Sequence, residues 1–300
     1  MPLQGMLVVP PVRNPLRSAA HMALLSVPGS LICGPTAARL HGLQGLPWWT
    51  WQEGVHLQVG HLSRRAQRPG LHLHWSQLDS TDRCELAGLK VTSVERTLID
   101  AALCCDRPTT VSLVDCALAS SRLDPMRLPA LQARLRTLPG GRARSGWLAL
   151  TDGRAESPSE STARLLLMDA GIPPDELQYR VRDQGGREIA RLDMAYRKRQ
   201  RMRCPLGLEV DSAHHDQPTA VYRDRYRQND LVAAGWDIVR ITARDVVRRP
   251  SYVVRLVRGL LARGMAVDVC VHGFGVSWAR SSTCAAPAAP LAVAATNALT

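Results

Sequence analysis

Two predicted strands in the second half of the sequence carry carboxylates. Residues 189–196 and 206–211 alternate so that Asp193 on the first strand, and Glu209 with Asp211 on the second, lie on the face away from the apolar side chains. Two carboxylates about 4 Å apart repel by about 4 kcal/mol at an effective dielectric of 20, so a cluster of the three would need a cation. Oxygen ligands favour Mg²⁺ or Mn²⁺, either of which could polarise a phosphodiester and activate a water for hydrolysis.

Histidines and basic residues flank these strands. His214 and His215 follow the second strand and could act as general base or leaving-group acid, because imidazole titrates near neutral pH; an ordinary loop start is the alternative. The connection between the strands could follow a phosphate backbone or be a solvated hairpin tip. Its basic residues are Arg197, Lys198, Arg199, Arg201 and Arg203.

The elements around the acidic strands are predicted to follow the order helix, three strands, helix, strand, which is an α/β unit. Besides the two acidic strands, the predicted elements are a helix over 158–170, a strand over 178–181, a helix over 219–234 and a strand over 236–241. On the second helix, Asp224 and Arg227 share a stripe with residues that favour burial. Buried charges are usually paired, which predicts a bond between these two or a contact with the site.

A series of short motifs runs through residues 157–250 in the order of these elements. The motifs are Ser159-Glu160, Arg164, Gly171-Ile172-Pro173, Arg191-Leu192-Asp193, Glu209-Val210-Asp211, His214-His215, Asp224 with Arg227, and Gly235-Trp236 with Arg240. Together they resemble a bacterial domain-of-unknown-function family related to the very-short-patch-repair (Vsr) endonuclease. Such domains are assigned to the PD-(D/E)XK nuclease superfamily, a restriction-endonuclease-like fold with an αβββαβ core.

The resemblance implies an active site. Its implied metal ligands are Asp193 and Glu209, which could otherwise be solubility charges on an edge strand. Glu160 is implied as the carboxylate from the first helix, although Ser157 with Glu160 also spells a helix capping box. The supporting groups are Asp211, His214 or His215, Asp224, Arg227 and Arg240.

The first half resembles another family. Its motifs are Cys33-Gly34-Pro35-Thr36-Ala37-Ala38-Arg39-Leu40-His41-Gly42-Leu43, Gly88-Leu89-Lys90-Val91-Thr92-Ser93 and Glu95-Arg96-Thr97-Leu98-Ile99-Asp100. They are similar to AbiEi-type antitoxin-like proteins, in which an N-terminal winged helix would bind DNA. Only about 29 residues precede the matching region, which starts near residue 30, and they are interrupted by prolines, so the winged helix is expected to be incomplete.

An α+β fold is predicted for this half. Strands are expected over 55–59 and 71–75, followed by a helix over 93–103 opened by a Thr92–Glu95 capping box and a second helix over 110–119. Arg96 and Asp100, one helical turn apart, are expected to form a local salt bridge. The strand histidines fall on one face and allow either a metal site or solvent-facing side chains; they are His56, His72 and His74.

Composition limits the possible partners. The net charge is +12, and 36 of the 38 basic residues are arginine, which suits a nucleic acid but also fits a GC-rich coding sequence. A hydrophobic fraction of 45% excludes wholesale disorder, and no apolar run is long enough to span a membrane. Eight cysteines without a C-x-x-C pair fit a reducing cytoplasm.

Four segments and a leading function are predicted. The segments are an irregular lead-in over 1–17, an AbiEi-like α+β domain over 18–150, a nuclease-like domain over 151–267 and a disordered Ala/Pro-rich tail over 268–300. The leading function is a Mg²⁺- or Mn²⁺-dependent DNA endonuclease in defence or repair, with a cognate toxin or defence protein as a further partner. Because Asp211 replaces the signature lysine and Ser212 an expected glycine, an inactive DNA-binding regulator is the main alternative. A protein-interaction module without a nucleic-acid role is the third.

Overall fold

The computed structural model describes residues 14–60, 69–197, 204–211 and 218–263. The helices are α1 Pro15–Ser26, α2 Gly34–Leu40, α3 Val94–Cys104, α4 Arg107–Ala119, α5 Leu128–Thr137, α6 Pro158–Asp169, α7 Pro218–Ala233, α8 Ala243–Arg248 and α9 Pro250–Arg263. The strands are β1 Leu31–Ile32, β2 Val55–Val59, β3 Leu71–Trp75, β4 Arg83–Leu86, β5 Leu89–Thr92, β6 Glu176–Arg182, β7 Glu188–Tyr196, β8 Leu206–Asp211 and β9 Asp237–Thr242. None of the helices in these ranges is long and apolar enough to cross a membrane.

The first half contains a mixed five-stranded sheet in the order β3-β2-β1-β5-β4. β2 and β3 run parallel, with Val55 opposite Leu71, and their predicted ranges are confirmed to the residue. Apolar side chains of α1 and α2 pack on this sheet and form one cluster with Ile32, Leu57 and Val91. The α+β prediction for this half therefore agrees with the observed mixture of helices and sheet.

Three helix starts in the first half differ from prediction. α1 begins at Pro15 rather than after Arg17, because Asn14 caps it and proline is favoured in a first helical turn, where its missing N–H is not needed. α3 is capped by Ser93, whereas Thr92 bonds Thr97, so the predicted Thr92 capping box is wrong. α4 begins at Arg107 behind the cap Asp106, three residues before the predicted start.

The predicted salt bridge between Arg96 and Asp100 is confirmed, with Arg96 Nε 2.8 Å from Asp100 Oδ1. Arg96 is fully buried and also contacts Asp82 and the Ser76 hydroxyl, so it joins α3 to the loop behind β3. A buried guanidinium needs such acidic and polar partners because its charge cannot be left unpaired away from water.

The second half has the predicted order of helix, three strands, helix and strand. Its mixed sheet runs β6-β7-β8-β9, with the first two pairings antiparallel and the last parallel. One face packs against α6, α8 and α9 in the larger apolar cluster, which includes Leu167, Leu208 and Val257. The other carries a smaller cluster with Leu231 of α7 and Trp236. Helices therefore cover both faces of this sheet.

The apolar side chains of β7 do not share one face, contrary to the alternation predicted for the strand. Ala190 and Leu192 belong to the smaller cluster, whereas Met194 and Tyr196 belong to the larger one. The change falls at Asp193, where β7 stops pairing with β8. Where backbone pairing with β8 ends, β7 can shift so that its apolar side chains before and after Asp193 point to opposite faces of the sheet. Alternation along the sequence does not reveal such a shift.

A buried ion pair connects α4 with α6. Arg164 Nη2 lies 2.9 Å from Asp115 Oδ2, and both side chains are almost entirely buried. Asp115 also accepts hydrogen bonds from the Ser161 hydroxyl and from the Asp152 amide. These contacts cross the boundary predicted near residue 150; the division of the chain into domains remains a prediction.

Candidate functional site

The candidate site lies where β7 and β8 separate. Their last paired residues are Met194 and Leu208, and the next position on β7 is Asp193. Instead of a backbone carbonyl, the Asp193 carboxylate accepts the Val210 amide, with Oδ2 2.8 Å from the nitrogen. This hydrogen bond fixes the Asp193 side chain beside β8, at the residue that directly follows Glu209. Where the backbone pairing of β7 and β8 ends, the Asp193 carboxylate of β7 thus bonds a backbone amide of β8.

Glu209 is buried and bound by two arginines. Only 6% of this residue is exposed. Arg240, on the parallel neighbour β9, places Nε 3.1 Å from Glu209 Oε2, and Arg227 of α7 donates from Nη2 to Oε1. Arg227 also donates to the backbone carbonyl of Arg191 on β7. The carboxylate is therefore neutralised by side chains from two further elements, which offsets the cost of burying its charge.

Glu160 is the buried carboxylate of α6, with 8% exposure. Ser157 caps the helix by accepting the Glu160 amide, but the Glu160 side chain does not return to Ser157 as a capping box would. Its Oε2 accepts the Glu156 amide at 2.9 Å and the Gln178 side-chain amide at 2.8 Å. The position of Glu160 is thus fixed by its own helix start and by β6.

Gln178 is a site residue that the sequence did not indicate. It lies in β6 with a left-handed φ of +51°, which is uncommon for a residue other than glycine. Its Nε2 holds Glu160, while its Oε1 is buried and has no hydrogen-bond partner. A glutamine within a polar strand gives no signal of this role, because the role depends on the local backbone distortion.

The three carboxylates influence one another electrostatically. Burial raises the pKa of Asp193 to about 7, and the nearby charges of Glu160 and Glu209 raise it further, whereas the bond from Val210 and the charge of Arg227 only partly oppose this rise. Negative charge at Asp193 is therefore poorly compensated within the protein. A cation beside this carboxylate would favour its ionised form.

The donor set is compatible with Mg²⁺ or Mn²⁺. Both ions prefer oxygen ligands, and Asp193 and Glu209 offer only carboxylate oxygens. In the described ranges, however, no three carboxylate oxygens of this site lie within 4.8 Å of one another. Bringing Glu209 onto an ion would require it to share or exchange its bonds with Arg227 and Arg240. The chemistry of the set fits a divalent cation, on the condition that these arginines adjust.

The other predicted site residues differ in whether the structure describes them. Asp211 is exposed at the end of β8, and Arg197 is paired with Glu176 at 2.7 Å and lies over the Tyr179 ring. Those that lie outside the described residues are Lys198, Arg199, Arg201, Arg203, His214 and His215. Asp224 falls within α7 on a stretch whose side chains the structure does not describe.

Comparison with protein families supports the restriction-endonuclease-like fold that was predicted for the second half. Residues 175–261 match the model of REase_MTES_1575, a restriction-endonuclease-like family. That range covers β6 through most of α9 and so includes Asp193, Glu209 and both arginines that bind Glu209. Folds of this class usually use divalent metals. The comparison lends no support to the Vsr-like relation or to the AbiEi-type region, and both remain predictions.

Two relatives come from Mycobacterium tuberculosis: uncharacterized protein MT2308 of strain CDC 1551 / Oshkosh and uncharacterized protein Rv2248 of strain ATCC 25618 / H37Rv. Each is 36% identical to this chain over 183 residues, which is 60% of this chain. The chain spans 65% of the length of these curated relatives. No solved structure matches it significantly.

Proposed function

We propose that this protein is a divalent-metal-dependent endonuclease that hydrolyses phosphodiester bonds in DNA. The observation that carries the proposal is the Asp193 carboxylate bonded to the Val210 amide where β7 and β8 separate, beside the buried Glu209. The match of residues 175–261 to a restriction-endonuclease-like family supports a nuclease-like activity for this region.

In this proposal Asp193 and Glu209 would hold Mg²⁺ or Mn²⁺, and the ion would supply Lewis-acid activation of the phosphodiester and of an attacking water. The Val210 amide keeps Asp193 oriented by its bond to Oδ2. Glu160 adds negative charge behind Asp193 and is held by the Gln178 amide. Arg227 and Arg240 would hold Glu209 in place before an ion binds, since both are paired with its carboxylate.

The DNA-binding surface is proposed from charge. The net charge of +12 favours a polyanion, and the connection between β7 and β8 is rich in arginine. Arg197 is already paired with Glu176, so it would contribute less to phosphate binding than an unpaired arginine. We further propose that the second half is Vsr-like and the first half antitoxin-like. A cognate toxin or another defence protein is proposed as the partner.

One observation favours a second candidate, an inactive DNA-binding regulator with a nuclease fold. Both oxygens of Glu209 already face arginine nitrogens, so this carboxylate is neutralised without an ion. A site balanced in this way could be stable with no metal and no catalysis. The two candidates differ in whether divalent ions bind and whether DNA is cut.

A plasmid assay with the full chain tests the proposal. We expect supercoiled DNA to be nicked or linearised with Mg²⁺ or Mn²⁺ and to remain intact with EDTA. Asp193→Asn should reduce cleavage by about 100-fold or more, since it removes a ligand rather than a supporting group. The matched control is Asp183→Asn, which removes the same charge from a carboxylate bound to Arg187 in the β6–β7 turn.

A mobility shift over a salt series distinguishes the alternatives. Steep salt dependence without cleavage would favour the inactive regulator, because each phosphate contact contributes about −0.9 to the slope of log affinity against log salt. Equal cleavage by Asp193→Asn and by the unaltered chain would show that the activity comes from elsewhere. Absence of both cleavage and DNA binding would refute both candidates.

A further inference from the structure

The first half brings three metal-ligating side chains together, away from the carboxylates. His56 of β2, His74 of β3 and Cys104 at the end of α3 each offer a ligand atom, and these atoms all lie within 4.8 Å of one another. His56 Nδ1 and His74 Nε2 are 2.9 Å apart. We call these three residues the His-Cys cluster.

The fold holds the His-Cys cluster together through its sheet register. His56 lies opposite His72 on the parallel strand β3, and His74 follows two residues later on the same face. The rings of His56 and His74 stack with centroids 5.1 Å apart. Gly34 adjoins both ligand residues, since a Cβ at this position would lie in van der Waals contact with His56 Nδ1 at 3.8 Å and Cys104 Sγ at 3.9 Å, and its φ of +53° favours glycine.

The two histidines of the cluster face each other through their ring nitrogens. With their nitrogens 2.9 Å apart, one ring donates a proton that the other accepts. A metal ion could bind both nitrogens in place of this hydrogen bond once the donor ring carries its proton on its other nitrogen.

An unpartnered carboxylate oxygen lies beside the cluster. Asp100, one turn before Cys104 in α3, is only 7% exposed. Its Oδ1 accepts from Arg96, but its Oδ2 is buried without a hydrogen-bond partner. The Asp100 Cβ is 3.9 Å from the position that a Gly34 Cβ would occupy, next to the same cluster atoms. Such an orphan acceptor calls for a donor that the protein itself does not supply.

We propose that His56, His74 and Cys104 bind a divalent transition metal of the zinc class. Two imidazoles and one thiolate suit Zn²⁺ or Co²⁺ and are poor ligands for Mg²⁺. A tetrahedral ion with Zn–N distances of about 2.0–2.1 Å places its nitrogens about 3.3 Å apart, so the histidine pair must open by about 0.4 Å. Asp100 Oδ2 would be the acceptor for a water bound at the fourth position of such an ion.

A metal here would tie the end of α3 to β2 and β3. It would be chemically distinct from the carboxylate site, which offers only oxygens. Binding releases the Cys104 thiol proton to solvent, whereas the proton shared by the two imidazoles moves to the other nitrogen of its own ring, so that both ligand nitrogens offer a lone pair. The step involves no change of oxidation state.

Cobalt absorption with the full chain tests the site. We expect one Co²⁺ per chain to give a thiolate-to-metal charge-transfer band, which carboxylate ligands cannot produce, and Zn²⁺ to displace it. Cys104→Ser should abolish the band, whereas the neighbouring Cys105→Ser should retain it. His74→Gln should lower the affinity by about 100-fold or more. The matched His72→Gln should lower it far less, because the His72 ring stacks on His56 with centroids 4.5 Å apart but bonds the Glu53 carbonyl and is not one of the three ligand residues.

The outcomes separate this proposal from the nuclease proposal. Repeating the titration in Asp193→Asn should leave the band unchanged, because that substitution removes only a carboxylate ligand. A chain with no cobalt band and no zinc-binding heat would overturn the site, as would a band lost in Cys105→Ser but kept in Cys104→Ser. If Cys104→Ser fails to fold by circular dichroism, the His74→Gln and His72→Gln pair decides by the same criterion.

Discussion

Replacing Asp193 with asparagine should stabilise the folded protein at alkaline pH although it removes the central group of the candidate site. The amide oxygen can still accept the Val210 amide, so the bond that positions the side chain is retained. What disappears is a negative charge that burial, Glu160 and Glu209 all disfavour. Function and stability are therefore expected to change in opposite directions, as at other sites where like charges are held together.

The sign follows from proton binding. The pKa of Asp193 rises from 3.8 to about 7 on folding, so between these values the folded state binds more protons than the unfolded state. Stability due to this group therefore falls as pH rises through this window, and the cost is complete above about pH 7. Below about pH 4 the carboxyl is protonated in both states and contributes nothing.

The magnitude follows from the size of the shift. Each pKa unit corresponds to about 1.4 kcal/mol, which sets an upper limit of about 4 kcal/mol. Because Asp193 is half-buried, solvent screening reduces this, and we expect Asp193→Asn to raise the free energy of unfolding by about 2 kcal/mol near pH 8. Near pH 4 the two proteins should be equally stable. Urea unfolding followed by circular dichroism measures both differences.

A second carboxylate provides a control of opposite sign. Asp183 accepts bonds from the Arg187 backbone and side chain, and these bonds lower its pKa. Its stabilising contribution is present above about pH 4 and is lost as pH falls further, so Asp183→Asn should be the less stable protein near pH 8. Equal stability of Asp193→Asn and the unaltered chain near pH 8, or a gain that does not change with pH, would refute the reasoning.

Two further predictions concern packing. Asp115→Ala should lower the free energy of unfolding in urea by about 3–5 kcal/mol, because Arg164 stays buried without its acidic partner. Adding Arg164→Met should recover much of this loss, and the absence of any recovery would contradict the pairing argument. Gly207→Val should lower the free energy of unfolding by about 1–3 kcal/mol, because even a Cβ there would lie 2.6 Å from Leu192 Cδ1. The control Gly146→Ala should be near neutral, because open space surrounds that glycine. Thermal unfolding in which the two variants behave alike would count against this packing.

Strict alternation made several elements predictable from sequence. β8 over Leu206–Asp211 has the predicted bounds, since its apolar residues alternate and its ends are marked by a proline and a polar segment. Helix starts were less predictable. Ser93 and Thr92 are both good caps by residue type, and only the backbone path shows that Ser93 accepts the Arg96 amide.

The candidate site could be predicted only in part, because its geometry depends on contacts between elements. The spacing of Asp193 and Glu209 was visible as acidic positions in strands. The bond from Val210 to Asp193 was not, since it forms where the β7–β8 ladder ends. The His-Cys cluster shows the same limit: alternation puts His56 and His74 on one face, but only the packing of α3 brings Cys104 to them.

The three carboxylates of the candidate site differ in how their charges are compensated, and this difference indicates where a cation would act. Glu160 is held by a backbone amide and the Gln178 amide, and Glu209 by Arg227 and Arg240. For Asp193 the bond from Val210 is too little to offset burial and two neighbouring charges, so its pKa stays raised. A divalent ion would therefore gain most at Asp193 and must compete with arginines at Glu209. Mn²⁺ should accordingly stabilise the unaltered chain more than Asp193→Asn, whereas an inactive site balanced by its arginines would respond equally in both.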